Sequence, residues 1–183
     1  SSPLAMNLTG SGVAIKAADA ADVARNISLS GDIVGTYGFT KTGTGTLTLS
    51  GTNTYTGPTT VAAGVLAVDG SIAGSSLTTV NDGAKLQGIG TLGATTVNAG
   101  GHVAPGNSIG TLNVSGNLAI SGTLDVEYDG AGSLIDLLAV TGTLDITNAT
   151  VDFAPMNSAL TGSPYIFATY GTLAGTQFSL VTD

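Results

Sequence analysis

One apolar position returns along this chain about every twenty residues, and this period restricts the fold more than any other feature of the sequence. It lies in short β-favouring segments that alternate apolar and small polar residues, such as GTLTLSG at 45–51 and GVLAVDG at 64–70. Its members are Leu47, Leu66, Leu86, Val103, Leu124 and Leu144. Subtraction gives separations of 19, 20, 17, 21 and 20 residues. Such a regular interval indicates a repeat architecture rather than a β-sandwich.

The length of the repeat selects one architecture among the known repeat folds. Twenty residues accommodate three short strands with tight turns, which is one turn of a parallel β-helix, but they are too few for a four-stranded propeller blade. The spacing L-x-x-L-x-L of leucine-rich repeats is also missing. In a β-helix each strand lies about 4.8 Å above its counterpart in the previous turn, so alternate residues form an internal column. We therefore predict that Leu66 points inward and that Thr48 is exposed.

Composition and charge exclude several classes of function. Charged residues are 9% of the 183 and hydrophobic residues 42%, which predicts a folded domain. The net charge of −8 disfavours nucleic acids and anionic lipid surfaces as partners. No apolar run approaches the roughly 18 residues of a membrane helix. We therefore expect no membrane insertion of this segment.

The domain prediction is a single β-helix over residues 1–183. Residues 1–30 are predicted to be an irregular first turn or cap, 31–153 the regular turns, and 154–183 aromatic-rich C-terminal turns with a cap. Most aromatic side chains follow residue 127, namely Tyr128, Phe153, Tyr165, Phe167, Tyr170 and Phe178. This distribution predicts that the C-terminal third buries the larger apolar area per residue and is the most stable part.

Two long segments resemble a known family. GFTKTGTGTLTLSGTNTYTGPTTVAAGVLAV at 38–68 resembles the autotransporter-associated β-strand repeat, or passenger-associated transport repeat, of bacterial autotransporters. GGHVAPGNSIGTLNVSGNLAISGTLDVEYD at 100–129 resembles the turn that follows such repeats. The resemblance implies a right-handed, single-stranded parallel β-helix on the bacterial surface or outside the cell. It also implies a C-terminal translocator barrel as partner, which we expect outside this segment because no barrel follows Asp183.

Three acidic residues are the weak candidates for a Ca²⁺ site. Asp125 in GTLDVE and Asp145 in GTLDIT occupy the same place in two copies 20 residues apart, and Glu127 shares the outward face of Asp125. We therefore expect Asp125 and Asp145 to stack. A solvated acidic stripe is favoured over a metal site, because the G-G-x-G-x-D loop of calcium-binding β-helices is absent.

No residue pattern supports catalysis. His102, the one histidine, lies in a Gly-rich stretch and is expected to be a solvated corner residue. Ser108 in PGNSIG does not match G-x-S-x-G and is expected to be a turn serine. A polysaccharide lyase needs basic residues beside acidic ones, whereas the chain has a single arginine. The repeat intervals are also too uniform to include a long catalytic loop.

These observations predict a non-enzymatic stalk and C-terminal folding seed of a secreted or surface-exposed autotransporter-type protein. No catalytic residue, resident metal or cofactor is expected. The second hypothesis is an adhesin that binds a glycan or host protein through its lateral surface. The third is a polysaccharide-degrading β-helix enzyme. An ice-binding face is disfavoured because Thr pairs do not recur at one fixed place per turn: Val65 and Ala67 stand where an earlier copy has Thr46 and Thr48.

Overall fold

The computed structural model describes residues 5–157 and 164–180, with the side chain of residue 180 left aside. Residues 1–4, 158–163 and 181–183, which belong to the predicted terminal regions, lie outside the described residues. In the described ranges all regular elements are β-strands, and there is no helix. The strands are short because Gly, Asn and Asp interrupt each apolar alternation after a few residues.

In chain order the strands are β1 (Met6–Leu8), β2 (Val13–Lys16), β3 (Ile27–Leu29), β4 (Ile33–Gly35), β5 (Phe39–Thr42), β6 (Thr46–Leu49), β7 (Thr59–Val61), β8 (Gly64–Val68), β9 (Ser71–Ile72), β10 (Thr78–Val80), β11 (Ala84–Gly88), β12 (Thr91–Leu92), β13 (Thr95–Val97), β14 (His102–Pro105), β15 (Thr111–Val114), β16 (Leu118–Ile120), β17 (Thr123–Asp129), β18 (Leu134–Ile135), β19 (Leu137–Val140), β20 (Thr143–Asp145), β21 (Thr150–Pro155), β22 (Ala168–Thr169), β23 (Thr172–Ala174) and β24 (Ser179–Leu180).

Successive strands are distributed over three stacked faces. The first face contains β2, β5, β7, β10, β13, β16, β20 and β23 in that order. The second face contains β3, β6, β8, β11, β14, β17, β21 and β24. The third contains β9, β12, β15, β19 and β22, and β1 pairs separately with β4. Strands within each face pair in parallel, except that β18 pairs antiparallel with β17. The predicted all-β parallel β-helix is confirmed in this arrangement, whereas its right hand stays a prediction.

The predicted column lies on the second face and is confirmed from Leu47 to Leu124. Backbone pairing aligns Leu47, Leu66, Leu86, Val103 and Leu124. The next residue in register is Val151, not Leu144, and Leu180 follows it. Leu144 instead lies on the first face, paired with Leu118 and Leu173. Its assignment to this column is wrong because two faces carry the same G-T-L-D sequence.

The uniform interval also ends at Leu124. Consecutive residues of the column are 17 to 21 positions apart from Leu47 to Leu124. The separation then rises to 27 residues between Leu124 and Val151, and to 29 between Val151 and Leu180. The extra residues of the first interval include a β17–β18 hairpin around 129–134. The expectation that no long loop interrupts the repeat is therefore wrong for the C-terminal turns.

The core is one continuous cluster of apolar side chains inside the stack. It runs from Leu8 to Val151 and includes all five aligned residues from Leu47 to Leu124. Two inward columns on the first face contain polar side chains, which the apolar alternation did not predict. One contains the buried residues Thr59, Thr78 and Thr95, and the other places Lys41 between Ile15 and Val61. Polar groups therefore interrupt the apolar interior on this face.

The C-terminal aromatic residues pack together but are not deeply buried. Ring centroids are 5.3 Å apart for Phe153 and Phe167 and 5.9 Å apart for Phe167 and Phe178. Phe153 nevertheless remains 36% exposed, whereas Tyr55 in the N-terminal half is fully buried. The predicted burial maximum in the C-terminal third is wrong for the described residues. The physical reason is position: among the described strands, β22, β23 and β24 are the last of their faces and have a neighbour on one side only.

Candidate functional site

A polar cluster on the second face is centred on Asp125. This residue lies on the outward side of β17, because Leu124 and Val126 on either side of it point inward. Lys85 Nζ on β11 lies 2.8 Å from Asp125 Oδ2. His102 Nδ1 on β14 lies 2.9 Å from Asp125 Oδ1. Three consecutive strands of one face therefore bring these side chains together across 40 residues of sequence.

His102 is the first residue of β14 and not a free corner residue. Lys85 and Thr123 flank it in register on the neighbouring strands. A carboxylate only accepts hydrogen bonds, so the imidazole Nδ1–H donates to Asp125. The expected corner placement is therefore wrong, whereas the side chain is solvated as expected, with 42% of it exposed. The pair was not predicted because it is diagonal: His102 lies opposite Thr123, and Asp125 is two residues further along β17.

The three calcium candidates do not converge. Backbone pairing places Asp152, and not Asp145, opposite Asp125. Asp145 lies on the first face opposite Ala119. The expected stack of Asp125 and Asp145 is therefore wrong, for the same reason as the misplacement of Leu144. Glu127 does lie on the outward side of β17 with Asp125, as the alternation predicts.

Two of the three candidates, Asp125 and Asp145, already have protein partners. Asp125 forms an ion pair with Lys85 and a hydrogen bond with His102. Asp145 Oδ1 accepts hydrogen bonds from the backbone N–H and the hydroxyl of Thr147, and these bonds lower the pKa of its carboxyl group. Over residues 5–157 and 164–180, no three His, Asp or Glu side chains are grouped closely enough to hold a metal ion. The absence of a resident metal stays a prediction for the whole protein.

Sequence reasoning missed a buried carboxyl group at Asp136, between β18 and β19. Its Oδ1 accepts the N–H of Gly110 at 2.8 Å and its Oδ2 accepts the N–H of Glu127 at 2.7 Å. Burial raises the pKa of Asp136 to about 6, against the lowering effect of these two hydrogen bonds. The side chain therefore attaches the hairpin excursion to the stack. No local motif in the sequence marks this role.

The remaining catalytic candidates lie apart. Ser108 is exposed in the bend after β14, as predicted, and its hydroxyl contacts Met156 Sδ at 3.7 Å. The single arginine, Arg25, pairs with Asp19 in the irregular loop after β2. Neither residue is joined to the His102–Asp125 pair by a hydrogen bond or ion pair in the described structure. The geometry provides a polar surface cluster without a nucleophile at its centre.

The first face carries an outward column of threonines that the sequence reasoning overlooked. Thr40, Thr60, Thr79 and Thr96 lie in register on β5, β7, β10 and β13. The signal was the recurring tripeptide Thr-Thr-Val at 59–61, 78–80 and 95–97. The expectation that Thr does not recur at a fixed place is therefore wrong on this face. The column ends at Ala119, so the repeated hydroxyls extend over four turns.

Comparison with known proteins agrees with the predicted family. Residues 39–68, which span β5 to β8, match the family described as passenger-associated-transport-repeat. An extracellular serine protease of Serratia marcescens is 56% identical over 87 residues, 48% of this chain and 8% of that protein. The adhesin BmaC autotransporter of Brucella suis is 40% identical over an alignment that covers 58% of this chain and 4% of that protein.

The matches identify the repeat sequence and the kind of secreted or surface-exposed protein in which it occurs. The chain carries autotransporter passenger repeat sequence, so the predicted resemblance is confirmed, as is the secreted or surface-exposed setting across the outer membrane. It corresponds to less than a tenth of the length of these relatives. No helix in the described residues is long and apolar enough to cross a membrane.

Proposed function

We propose that this chain is a non-enzymatic β-helical stalk segment of an autotransporter-type protein, and that its C-terminal turns start folding outside the cell. The observation that carries the proposal is the parallel stacking of eight consecutive strands on each of two faces. Such a stack gives a stiff, elongated body in which each turn contacts only its neighbours. Its partner is a C-terminal translocator barrel of the same polypeptide, by analogy with the autotransporter relatives.

Four observations support the assignment as a non-enzyme. The His102–Asp125 pair has the hydrogen bond that orients a general base, but in the described structure no serine or threonine hydroxyl is hydrogen-bonded to His102. The outward residues of the first face are mainly Thr and Ala, which provide no acid–base chemistry. Arg25 is paired with Asp19, outside the polar cluster centred on Asp125. The relative named as a protease shares less than a tenth of its length with this chain.

Strand pairing supports the C-terminal turns as the folding seed. β17 and β21 pair over six residues, from Thr123 with Thr150 to Tyr128 with Pro155. Pairs of the N-terminal half extend over three or four residues, and the other parallel pairs of the C-terminal half over two to four. The six-residue pair holds its two turns together with more hydrogen bonds, and so presents a formed edge to the next turn. Each turn that docks on this edge outside the cell would bias transport outward without ATP.

Separate expression of the two halves tests the seed role. Residues 100–183 contain β14 to β24 and should fold alone, with a β-type circular dichroism spectrum and a cooperative melt. Residues 1–99 should be largely unfolded or aggregate through their uncapped edge. Protease protection of both fragments checks the comparison. A more stable N-terminal half would remove the seed role and leave a uniform spacer.

Adhesion through the lateral surface is the second candidate function, and the first face favours it. A groove along this face is lined by Leu77, Ala94, Thr96, Asn117 and Asp145. Leu77 is 39% exposed beside the threonine column, which combines an apolar contact with neutral hydroxyl groups. Neutral glycans also combine apolar contact surfaces with neutral hydroxyl groups, so they match this face chemically. Binding of the labelled chain to immobilised neutral glycans, lost in a Thr79→Lys variant, would support this function over a passive stalk.

A further inference from the structure

Lys41 occupies a position where a lysine is unexpected. It is the third residue of β5, and its neighbours in register are Ile15 on β2 and Val61 on β7. The same inward column continues through Val80, Val97 and Ile120. Lys41 is fully buried. A cation has therefore replaced an aliphatic side chain inside the stack.

Four backbone carbonyl groups surround the ammonium group, and we call them the carbonyl cage. Lys41 Nζ lies 2.6 Å from the oxygens of Gly43 and Gly45, 2.8 Å from that of Ala63 and 3.3 Å from that of Thr42. An ammonium has three N–H donors, so the three shorter contacts account for all of them. The ion pairs of the described residues involve Lys16, Arg25, Lys85 and His102 but not Lys41. Backbone dipoles alone compensate this charge within the described structure.

The backbone itself shapes the cage. Gly43 and Gly64 have φ of +74° and +64°, a conformation that other residues rarely adopt. A Cβ at Gly64 would lie 2.7 Å from both Lys41 Nζ and the Gly45 oxygen. Glycine is therefore required for the carbonyl groups of two successive turns to converge on one point. Converging backbone carbonyl groups are also how proteins replace the hydration shell of K⁺.

We propose that this corner is a monovalent-cation site, occupied in the native protein by the ammonium group of Lys41. Without that group, the cage binds K⁺ or NH₄⁺ from solution, because four partly negative oxygens still converge on one point and lose the donor that they share. The N–H groups of Val65 and Ala17 continue to donate to the oxygens of Gly45 and Thr42. Burial lowers the pKa of Lys41 to about 8, so the charged form still predominates at pH 7. The internal cation fixes the turn from β5 to β6 against the turn from β7 to β8.

A Lys41→Met variant tests the site, because methionine keeps an apolar stem and removes the ammonium group. Urea midpoints are compared in KCl, NH₄Cl and tetramethylammonium chloride at equal ionic strength. In tetramethylammonium chloride the midpoint should fall clearly below that of the wild type. KCl or NH₄Cl should recover more than half of this loss, while the wild type responds equally to all three salts. A variant with one midpoint in all three salts would overturn the proposal.

Lys85→Met is the matched control, because Lys85 is a partly exposed lysine that pairs with Asp125. Its midpoint should not depend on which cation is present. If KCl or NH₄Cl also raised the urea midpoint of this control, the proposal would be contradicted. The effect of the cation would then not come from the carbonyl cage.

A measurement on the folded wild type covers the case in which Lys41→Met does not fold. With ¹⁵N-labelled lysine at pH 6.5, the Lys41 ammonium should give a signal protected from exchange with water. The chain has three lysines, so the signal should persist in both Lys16→Met and Lys85→Met variants. No protected ammonium signal in the wild type would overturn the proposal.

Discussion

At the scale of single residues, the inward positions of the second face determine stability. Leu66 is fully buried and has Leu47 and Leu86 as its neighbours in register. Leu66→Asp places a carboxyl group among aliphatic side chains without a partner, and we expect a loss of more than about 3 kcal/mol in the free energy of unfolding. Urea denaturation measures this loss.

Thr48→Asp is the control on the opposite side of the same sheet. Thr48 is partly exposed and pairs with Ser28 and Ala67, neither of which is acidic. Its substitution should change the free energy of unfolding by about 0.5 kcal/mol or less. Equal urea midpoints for the Leu66 and Thr48 variants would mean that the inside and outside of the strands are reversed.

Asp136 makes the stability of the fold depend on pH, and the shift of its pKa gives the direction of this dependence. Its pKa is raised to about 6 by burial, above the ordinary value of 3.8, so between these values the folded state binds more protons than the unfolded state. This group therefore stabilises the fold as the pH falls through 6 and loses that contribution as the pH rises. From pH 7 to pH 5 the gain should be about 1 kcal/mol.

The Asp136→Asn variant isolates this contribution because asparagine does not titrate. The variant is less stable at all pH values, since its side-chain amide accepts only one of the two backbone N–H bonds. The informative quantity is the difference in unfolding free energy between wild type and variant at pH 5 and pH 7. This difference should be larger at pH 5 than at pH 7. An equal or smaller difference at pH 5 would contradict a raised pKa of Asp136.

Sequence alternation predicts which side of a strand is buried, but not which distant residues meet. The inward placement of Leu47 and the outward placement of Asp125 follow from a period of two residues. The contact of Asp125 with His102 depends on the register between β14 and β17, which the length of the intervening turn decides. Burial of Lys41 was not predicted either, because its acceptors are carbonyl groups that every residue possesses.

At the scale of strands and corners, glycine sets how closely successive turns approach. Gly38 precedes β5, and a Cβ there would overlap the backbone carbonyl group of Pro58, which precedes β7. Gly38→Ala should therefore separate the two strands and lower the free energy of unfolding by more than about 2 kcal/mol. Thermal or urea unfolding of the variant tests this.

Gly10→Ala is the corresponding control. A Cβ at Gly10 would meet no heavy atom within 4 Å, and its φ is not in the positive range. The stability of the Gly10→Ala variant should be unchanged or slightly raised, because alanine restricts the unfolded chain. Similar losses in the Gly38 and Gly10 variants would show that the close approach of the two turns does not limit stability.

Strand register explains which predictions about elements failed. The segments at 122–125 and 142–145 have the same sequence, Gly-Thr-Leu-Asp, yet one forms part of the second face and the other part of the first. Between them the hairpin around 129–134 lengthens one turn, so the period of twenty no longer returns to the same face. A constant period predicts register only while every turn has the same length.

At the scale of the whole molecule, the two ends of the stack differ from its middle. The N-terminal end leaves Met6, Ile15, Ile27 and Leu29 only partly buried against the core. The C-terminal end is covered in part by the cluster of Phe153, Phe167 and Phe178. In a stack whose turns contact only their neighbours, stability is a sum over turns and the ends open first. The aromatic cluster should reduce this opening at the C-terminal end.

Pulsed hydrogen exchange during refolding of the intact chain tests the central claim most directly. The claim is that the C-terminal turns form first and that earlier turns then dock on them. Amide groups of β14, β17 and β21 should become protected before those of β5, β6 and β8. Protection of the N-terminal strands first, or of all strands at the same time, would contradict the account.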